Sequence, residues 1–499
     1  MTIKQIAAKW FAAIIAQRTR AWAMKPEKTQ EAVFNSLISA ARNTQFGRDH
    51  HFGAIRSYED FAKQVPVRDY EALKGYVDLV VEGKADVLWP GKPHYFAKTS
   101  GTTSGAKFIP ITKESMPYHI SAARNAILHY IYETGNAGFV DGKMIFLQGS
   151  PILKEKHGIK IGRLSGIVAH FVPKYLQKNR LPSWETNCIE DWETKVDAIV
   201  GETIGQDMAV ISGIPSWVQM YFERLKAKSG KPVGELFPNF SLFIYGGVNF
   251  EPYRPAFSAL IGREVDSIEL FPASEGFFAY QDSRKEKGML LLLNSGIFYE
   301  FIRADEFFGE YPKRLTIGEV ETGVNYVMII STNAGLWAYN IGDTVMFTTL
   351  RPHRVVVTGR IKHYISAFGE HVIGKEVETA MESAIGKTGA LVREFTVAPQ
   401  IVPESGLPYH EWLIEFEKEP QDMVAFVSEL ENSMRTQNIY YDDLITGKVL
   451  RTLVVTKIPA GGFVQYMKSV GRLGGQNKLP RLCNDRSVAD ALPKSGAYH

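Results

Sequence analysis

Ser241-Leu242-Phe243-Ile244-Tyr245-Gly246-Gly247 is an apolar run that stops on two glycines. A helix-like segment follows over about 253–261. Val265-Asp266-Ser267-Ile268-Glu269-Leu270-Phe271 then repeats the plan and stops on Pro272-Ala273-Ser274-Glu275-Gly276. Upstream, Met208-Ala209-Val210-Ile211 ends at Ser212-Gly213 before a helix-like segment over about 216–228, and Met144-Ile145-Phe146-Leu147 ends near Gly149. Short apolar strands, each closed by small residues and followed by a helix, predict an α/β fold with doubly wound, mostly parallel sheets. Ligands of such sheets bind beyond the carboxyl ends of the strands. Three of these ends carry Gly or Ser.

The texture changes at both flanks. Residues up to about 80 read as helix; Val33, Phe34, Leu37 and Ile38 share one face at helical spacing. From Met289 to Thr358 short β-rich runs follow one another without a long helix, which predicts an antiparallel, β-rich subdomain attached to the larger sheet. After Gly359-Arg360 come a helix from about 374, strands near 394–398 and 412–416, a helix near 421–435 and a strand near 453–457. That is a small α+β domain of roughly 130 residues, a size that folds as a unit. The expected division is a large N-terminal domain, 1–360, and a mobile C-terminal domain, 361–499.

Composition narrows the function. The 499 residues carry 57 Lys plus Arg against 54 Asp plus Glu, a net charge of +3. Nucleic-acid binding calls for a basic excess or stripe, so no nucleic-acid partner is expected. The two cysteines, Cys188 and Cys483, lie far apart and make neither a disulfide framework nor a metal cluster. No apolar stretch is long enough to span a membrane. The run Trp10 to Ala16 follows Lys4 and Lys9 as a signal peptide would, but Gln17-Arg18-Thr19-Arg20 stand where small cleavage-site residues belong. The expectation is a packed amphipathic helix and a cytoplasmic chain.

Thr99-Ser100-Gly101-Thr102-Thr103-Ser104-Gly105-Ala106-Lys107 places five hydroxyl residues, two glycines and a lysine in nine positions. Hydroxyls and free backbone N–H groups cradle phosphate oxygens, and glycines let the backbone approach closely. The glycines are too closely spaced for a G-x-x-x-x-G-K-[ST] loop, and Phe108-Ile109-Pro110-Ile111 reads as strand rather than helix. The G-x-S-x-G nucleophile elbow is not matched either. The alternative is a solvated Ser/Thr/Gly turn.

This segment resembles the phosphate-binding loop of the adenylate-forming superfamily of acyl-CoA and aryl-CoA ligases. Further likenesses follow in order: Phe271-Pro272-Ala273-Ser274-Glu275 to an aromatic-x-x-[ST]-E motif, Tyr339-Asn340-Ile341-Gly342-Asp343 to a Tyr-x-x-Gly-Asp motif, Gly359-Arg360-Ile361-Lys362 to the interdomain hinge, and Gly474 to Arg481 to a C-terminal lysine loop. Within the superfamily the chain is most similar to the plant auxin-responsive acyl acid–amido synthetases and their bacterial relatives, through Asn43-Thr44-Gln45-Phe46-Gly47, Phe298 to Ile302, Gly335 to Tyr339 and Lys478-Leu479-Pro480-Arg481. Two positions depart: Ala106 stands where a Pro precedes the loop lysine, and Asn340 where an Arg follows the motif tyrosine.

The resemblance implies ATP as substrate, Mg²⁺, a small carboxylic acid and an amino acid or other amine as acceptor. It implies Ser100, Gly101, Thr102, Thr103 and Lys107 at the phosphates, Phe271 and Ser274 at the adenine end, Glu275 on Mg²⁺, Asp343 on the ribose, Arg360 at ribose or phosphate, and Lys478 carrying charge to the acyl phosphate. Tyr245, Gly246 and Gly247 are expected to line the adenine, or else to form a packing turn. Glu275, Asp343 and Lys478 also read as a strand-end salt bridge, an ordinary Gly-Asp turn and a surface lysine. Lys362 sits where a hinge would flex, and Trp217, Met220 and Tyr221 read as acyl pocket or as core. The expected activity is adenylation of a carboxylic acid followed by transfer to an amine. An acyl-CoA ligase and a catalytically silent nucleotide-binding protein are the alternatives.

Overall fold

The computed structural model describes residues 1–99, 107–172, 177–361, 364–365, 370, 372–474, 478–483 and 485–498. The strands of the large domain are β1 (Tyr95–Thr99), β2 (Lys107–Ile111), β3 (Lys143–Phe146), β4 (Lys154–Lys156), β5 (Ile159–Gly162), β6 (Arg180–Leu181), β7 (Met208–Ser212), β8 (Leu242–Gly246), β9 (Asp266–Pro272), β10 (Phe277–Tyr280), β11 (Met289–Leu291), β12 (Ile297–Arg303), β13 (Asn325–Thr332), β14 (Tyr339–Leu350) and β15 (His353–Arg360). One sheet takes the order β12-β13-β14-β15-β11-β10-β9-β8-β7-β3-β6. Neighbours from β6 to β9 are parallel, and those from β9 to β12 are antiparallel. The β-rich stretch is therefore attached as a direct continuation of the parallel sheet, joined through the β9–β10 turn. A smaller sheet, β2-β1-β5-β4, carries the β1–β2 hairpin, in which Thr99 lies opposite Lys107.

Side-chain alternation explains why helices cover both faces. Successive strand residues point to opposite sides. Leu242 and Ile244 of β8 join the core beneath α1 (Ile3–Ala23) and α3 (Met116–Thr134), with Ala12, Ile15, Ala126 and Leu128. Phe243 and Tyr245 join the opposite core, with Val218 and Phe222 of α4 (Pro215–Ser229). The helix expected around Phe34 is α2 (Pro26–Ala41), which lays Phe34 on Phe298 of β12 at a 4.9 Å ring separation. Trp217 faces a cavity, whereas Tyr221 is fully buried in core and Met220 packs against it.

Gln30 ties α2 to the sheet edge. Its amide donates to the carbonyls of Leu293 (2.7 Å) and Ile297 (2.9 Å), and its oxygen accepts from Tyr299 N–H at 2.8 Å. All three bonds are buried. Gln30→Ala leaves two carbonyls and an N–H without partners, each costing about 1–3 kcal/mol if water stays out. We expect a loss of about 2–4 kcal/mol in urea-unfolding stability, with Glu31→Ala on the exposed face as a near-neutral control.

The C-terminal domain is smaller. The short pair β16 (Tyr364–Ile365) and β17 (Val372–Ile373) precedes α5 (Gly374–Thr388). A sheet ordered β18 (Leu391–Gln400), β19 (Tyr409–Lys418), β20 (Val454–Lys457), β21 (Gly496–Tyr498) packs its own core of Val377, Met381, Phe395, Trp412, Phe426 and Leu430. No described helix is long and apolar enough to cross a membrane.

Candidate active site

The parallel strands end at one cleft. β8 runs into Gly246-Gly247, and β9 turns into β10 through Ala273-Ser274-Glu275. Asp343 and Arg360 are cross-strand partners on β14 and β15, and the register makes their ion pair, with Arg360 Nε 2.6 Å from Asp343 Oδ1. Arg360 also donates to the Ile341 carbonyl at 3.3 Å. Lys107 opens β2, its Nζ 5.5 Å from the centre of the Tyr70 ring, while the Tyr70 hydroxyl accepts from Phe108 N–H at 2.9 Å.

Charge couples these groups. Burial holds the Glu275 carboxyl above the usual carboxylate range; Lys107 and Arg360 pull it back and Asp343 opposes them. Asp343, its ion-pair partner, is the main reason that the Arg360 guanidinium is held above its ordinary value. Lys478 arrives from the small domain. A Cβ built on Gly247 would lie 1.9 Å from Lys478 Nζ and 2.5 Å from its Cε, so the lysine lies directly over that glycine. Water reaches the Lys478 side chain through the cleft. The protein around it nonetheless pushes the ammonium down to about 8, with Asp343 acting in the opposite sense.

Lys478 is delivered by an anchored segment. The Arg481 carbonyl accepts from Val397 N–H at 3.0 Å, and Cys483 N–H donates to Val397 O at 2.8 Å, so the chain runs along β18. The Arg481 guanidinium bonds Glu394 and the Tyr253 hydroxyl, donates to the Phe395 carbonyl at 2.7 Å and lies over the Phe395 ring. Tyr253 in turn donates to Glu394 at 2.9 Å. Gly474 sits against Trp192, where a Cβ would be 2.7 Å from the Trp192 Cβ.

Lys107, Glu275, Asp343, Arg360, Lys478, Phe271, Ser274, Tyr245, Gly246 and Gly247 all line one cavity of about 2170 Å³. Two rings are less free than expected: Tyr245 is packed between Phe243 and Phe250, and Phe271 sits edge-on to Phe278. The Asn340 side chain accepts from Gly342 N–H at 2.8 Å, which shapes the turn before Asp343. Ser100, Gly101, Thr102, Thr103, Ala106 and Lys362 lie outside the described residues.

Three features escaped sequence reasoning. Tyr339 is fully buried, and its hydroxyl has no partner among the described residues; burial holds it well above its ordinary value, with Glu275 acting in the same sense. Its place in the Tyr-x-x-Gly-Asp motif was the available signal. Glu269 of β9 and Glu378 of α5 are both pushed up to about 7 by burial, with Lys375 opposing this in each case. The Arg481–Tyr253–Glu394 knot joins residues 228 positions apart, and no local signal marks it.

This architecture is a fold shared with solved CoA ligases and an acyl acid amido synthetase. 2-Hydroxyisobutyryl-CoA ligase, solved in the postadenylation state in complex with R3-HIB-AMP, matches with a TM-score of 0.61 and 13% identity over 93% of this chain and 90% of that one. The GH3.15 acyl acid amido synthetase matches more fully, with a TM-score of 0.80 and 15% identity over 98% of this chain and 97% of that one. Models of the GH3 family N-terminal, central and C-terminal domains match residues 16–197, 290–360 and 375–487, and the chain belongs to the GH3 family. Indole-3-acetic acid-amido synthetase GH3.3 of Arabidopsis thaliana is 24% identical over 256 residues, 48% of this chain and 43% of that protein. The match thus spans less than half of that curated relative's length.

Proposed function

We propose that this chain adenylates a carboxylic acid with ATP and transfers the acyl group to an amine, an amino acid by likeness to its amido-synthetase relatives. The observation that carries the reading is the meeting of Lys107, Glu275, Asp343, Arg360 and Lys478, from well-separated segments, in one cleft at the strand ends. A carboxylate oxygen attacks the α-phosphorus, and pyrophosphate leaves with the bridging oxygen. The amine nitrogen then attacks the activated carbonyl carbon, AMP leaves, and the amine gives up a proton. Lys107 and Lys478 offset negative charge that shifts during substitution at phosphorus. Asp343 accepts from the ribose hydroxyls, with Arg360 holding its carboxylate in place. Gly246 and Gly247 let the nucleotide approach the backbone. No protein nucleophile is required.

Among the described residues no three His, Cys, Asp or Glu form a metal cage. Mg²⁺ does not need one, since it takes one or two carboxylates together with substrate phosphates. Glu275, enclosed and beside Lys107, fits that donor set. Mg²⁺ bound there supplies Lewis-acid neutralisation of phosphate charge. Residues 1–360 hold the nucleotide and 361–499 bring Lys478 to it.

The test is isotope exchange between pyrophosphate and ATP across a panel of acids, followed by product analysis with amino acids. Acid-dependent exchange and an amide product are expected. AMP release that needs coenzyme A and ignores amino acids would replace the amide reading with a thioester ligase. Nucleotide binding without exchange from any acid would leave a silent binder.

A further inference from the structure

We propose that the acid is a long, unbranched acyl chain, held in a channel that runs from the nucleotide cleft along α3 and opens beside α1. The inference rests on the adenylation reading and names its acid.

The cavity that contains Lys107 and Glu275 does not end at the strand termini. It continues between α3 and the sheet, where Ile120, Ala123, Ile127 and Ile131 line one side and Met144 and Leu270 the other. The four α3 positions have i, i+3, i+7, i+11 spacing, which is one face of a helix. Ile120, Ala123 and Ile127 are only partly covered, although their neighbours Ala122 and Ala126 are fully packed. Ile131 is buried, and Ala123 and Ile127 pack in part against the core beneath α1. Protein interiors leave few voids larger than a water molecule, so a cavity of this size with a partly covered apolar stripe along one wall offers surface to an apolar ligand.

Direction follows from topology. α3 precedes β3, so its N-terminal end lies near the strand carboxyl ends and its C-terminal end near their amino ends. The start of α1 is pinned at that far end, where the Thr2 hydroxyl and the Gln5 amide donate to Asp141 at 2.8 and 2.9 Å. Lys4, Trp10 and Phe11 of α1 line the same cavity, and Trp10 is 70% exposed. The cavity therefore meets solvent beside Trp10. From Ile120 to Ile131 the helix rises about 17 Å, room for roughly a dozen carbons at ordinary C–C lengths. The volume, about 2170 Å³, is about twice the upper end usual for a drug-sized ligand. A nucleotide with a compact ring acid would leave the α3 stripe wet.

The experiment measures pyrophosphate exchange for saturated acids from butanoate to hexadecanoate beside benzoate and indole-3-acetate, with calorimetric binding of dodecanoate in the absence of ATP. The expected result is a kcat/KM that rises about three- to fourfold per methylene to about a dozen carbons, and measurable dodecanoate binding. Ala123→Trp, which narrows the channel at mid-length, should lower the dodecanoate-to-butanoate ratio of kcat/KM by at least about 30-fold, the equivalent of three methylenes; an unshifted melting temperature shows that the variant folds. Exchange driven by the ring acids with no gain along the series overturns the channel and leaves adenylation standing. Dodecanoate binding that Ala123→Trp weakens, without exchange from any acid, overturns adenylation and leaves the channel. No binding and no gain with length overturns the channel outright.

Discussion

Lys478→Ala lowers acid-dependent pyrophosphate exchange by about 10²–10³-fold, the loss expected when one preorganised group aimed at developing charge is removed. The melting temperature should hardly move, because Arg481 and the β18 pairing anchor the segment without the lysine. The wild-type pH profile carries a second signature. The protein around it pushes the Lys478 ammonium down to about 8, although water reaches the side chain, so its charge is expected to be held below that pH and lost above. kcat/KM for exchange should therefore fall as pH rises through about 8. In Lys478→Arg the basic limb moves to higher pH, since a guanidinium stays charged. An unchanged limb in both variants would remove Lys478 from the chemistry.

Gly247→Val should cost about 10²-fold in the same assay through displacement rather than deletion. A Cβ at position 247 would overlap Lys478 Nζ at 1.9 Å, and φ there is +85°, which a β-branched residue adopts only under strain. The overlapped atom is the far end of a flexible side chain, so the lysine swings away and the fold survives. Backbone strain of about 1–3 kcal/mol lowers the melting point by only about one to three degrees in a chain of this length. The discriminating measurement is the double variant. If Gly247→Val acts by moving Lys478, its effect on exchange largely vanishes in the Lys478→Ala background, a failure of additivity expected of groups in contact. Full additivity would show that Gly247 serves the nucleotide by another route.

Much of this was legible in the chain because it is local. β8 and β9 read as strands from uninterrupted apolar runs, and Gly246-Gly247 and Ser274-Glu275 mark their ends. Lys107, Glu275 and Asp343 stand in short motifs whose order is itself informative. What escaped reading depends on tertiary placement. The partners of Arg481 are far away in sequence, and only the docking of β18 beside Tyr253 brings them together. The spacing of Ile120, Ala123 and Ile127 announces an apolar helix face but cannot say whether protein covers it. The antiparallel runs after Met289 announce a subdomain attached to the larger sheet, yet not where in the strand order it joins. That junction fixes Asp343 relative to Glu275 within one body.

The manner in which the small domain is attached has a consequence of its own. Among the described residues, the apolar clusters of the two domains meet at Ile361, which lies in the large domain's core, and at Leu473, which packs against a cluster of each. Polar pairs also join them: Arg393 with Glu223 at 2.6 Å, Lys468 with Glu193 at 2.6 Å and the Tyr253–Glu394 bond, the ion pairs being partly solvated. Such pairs contribute little each and weaken as electrolyte is added. The expected consequence is an attachment that loosens as electrolyte is added. Turnover should therefore respond to ionic strength well before the fold does.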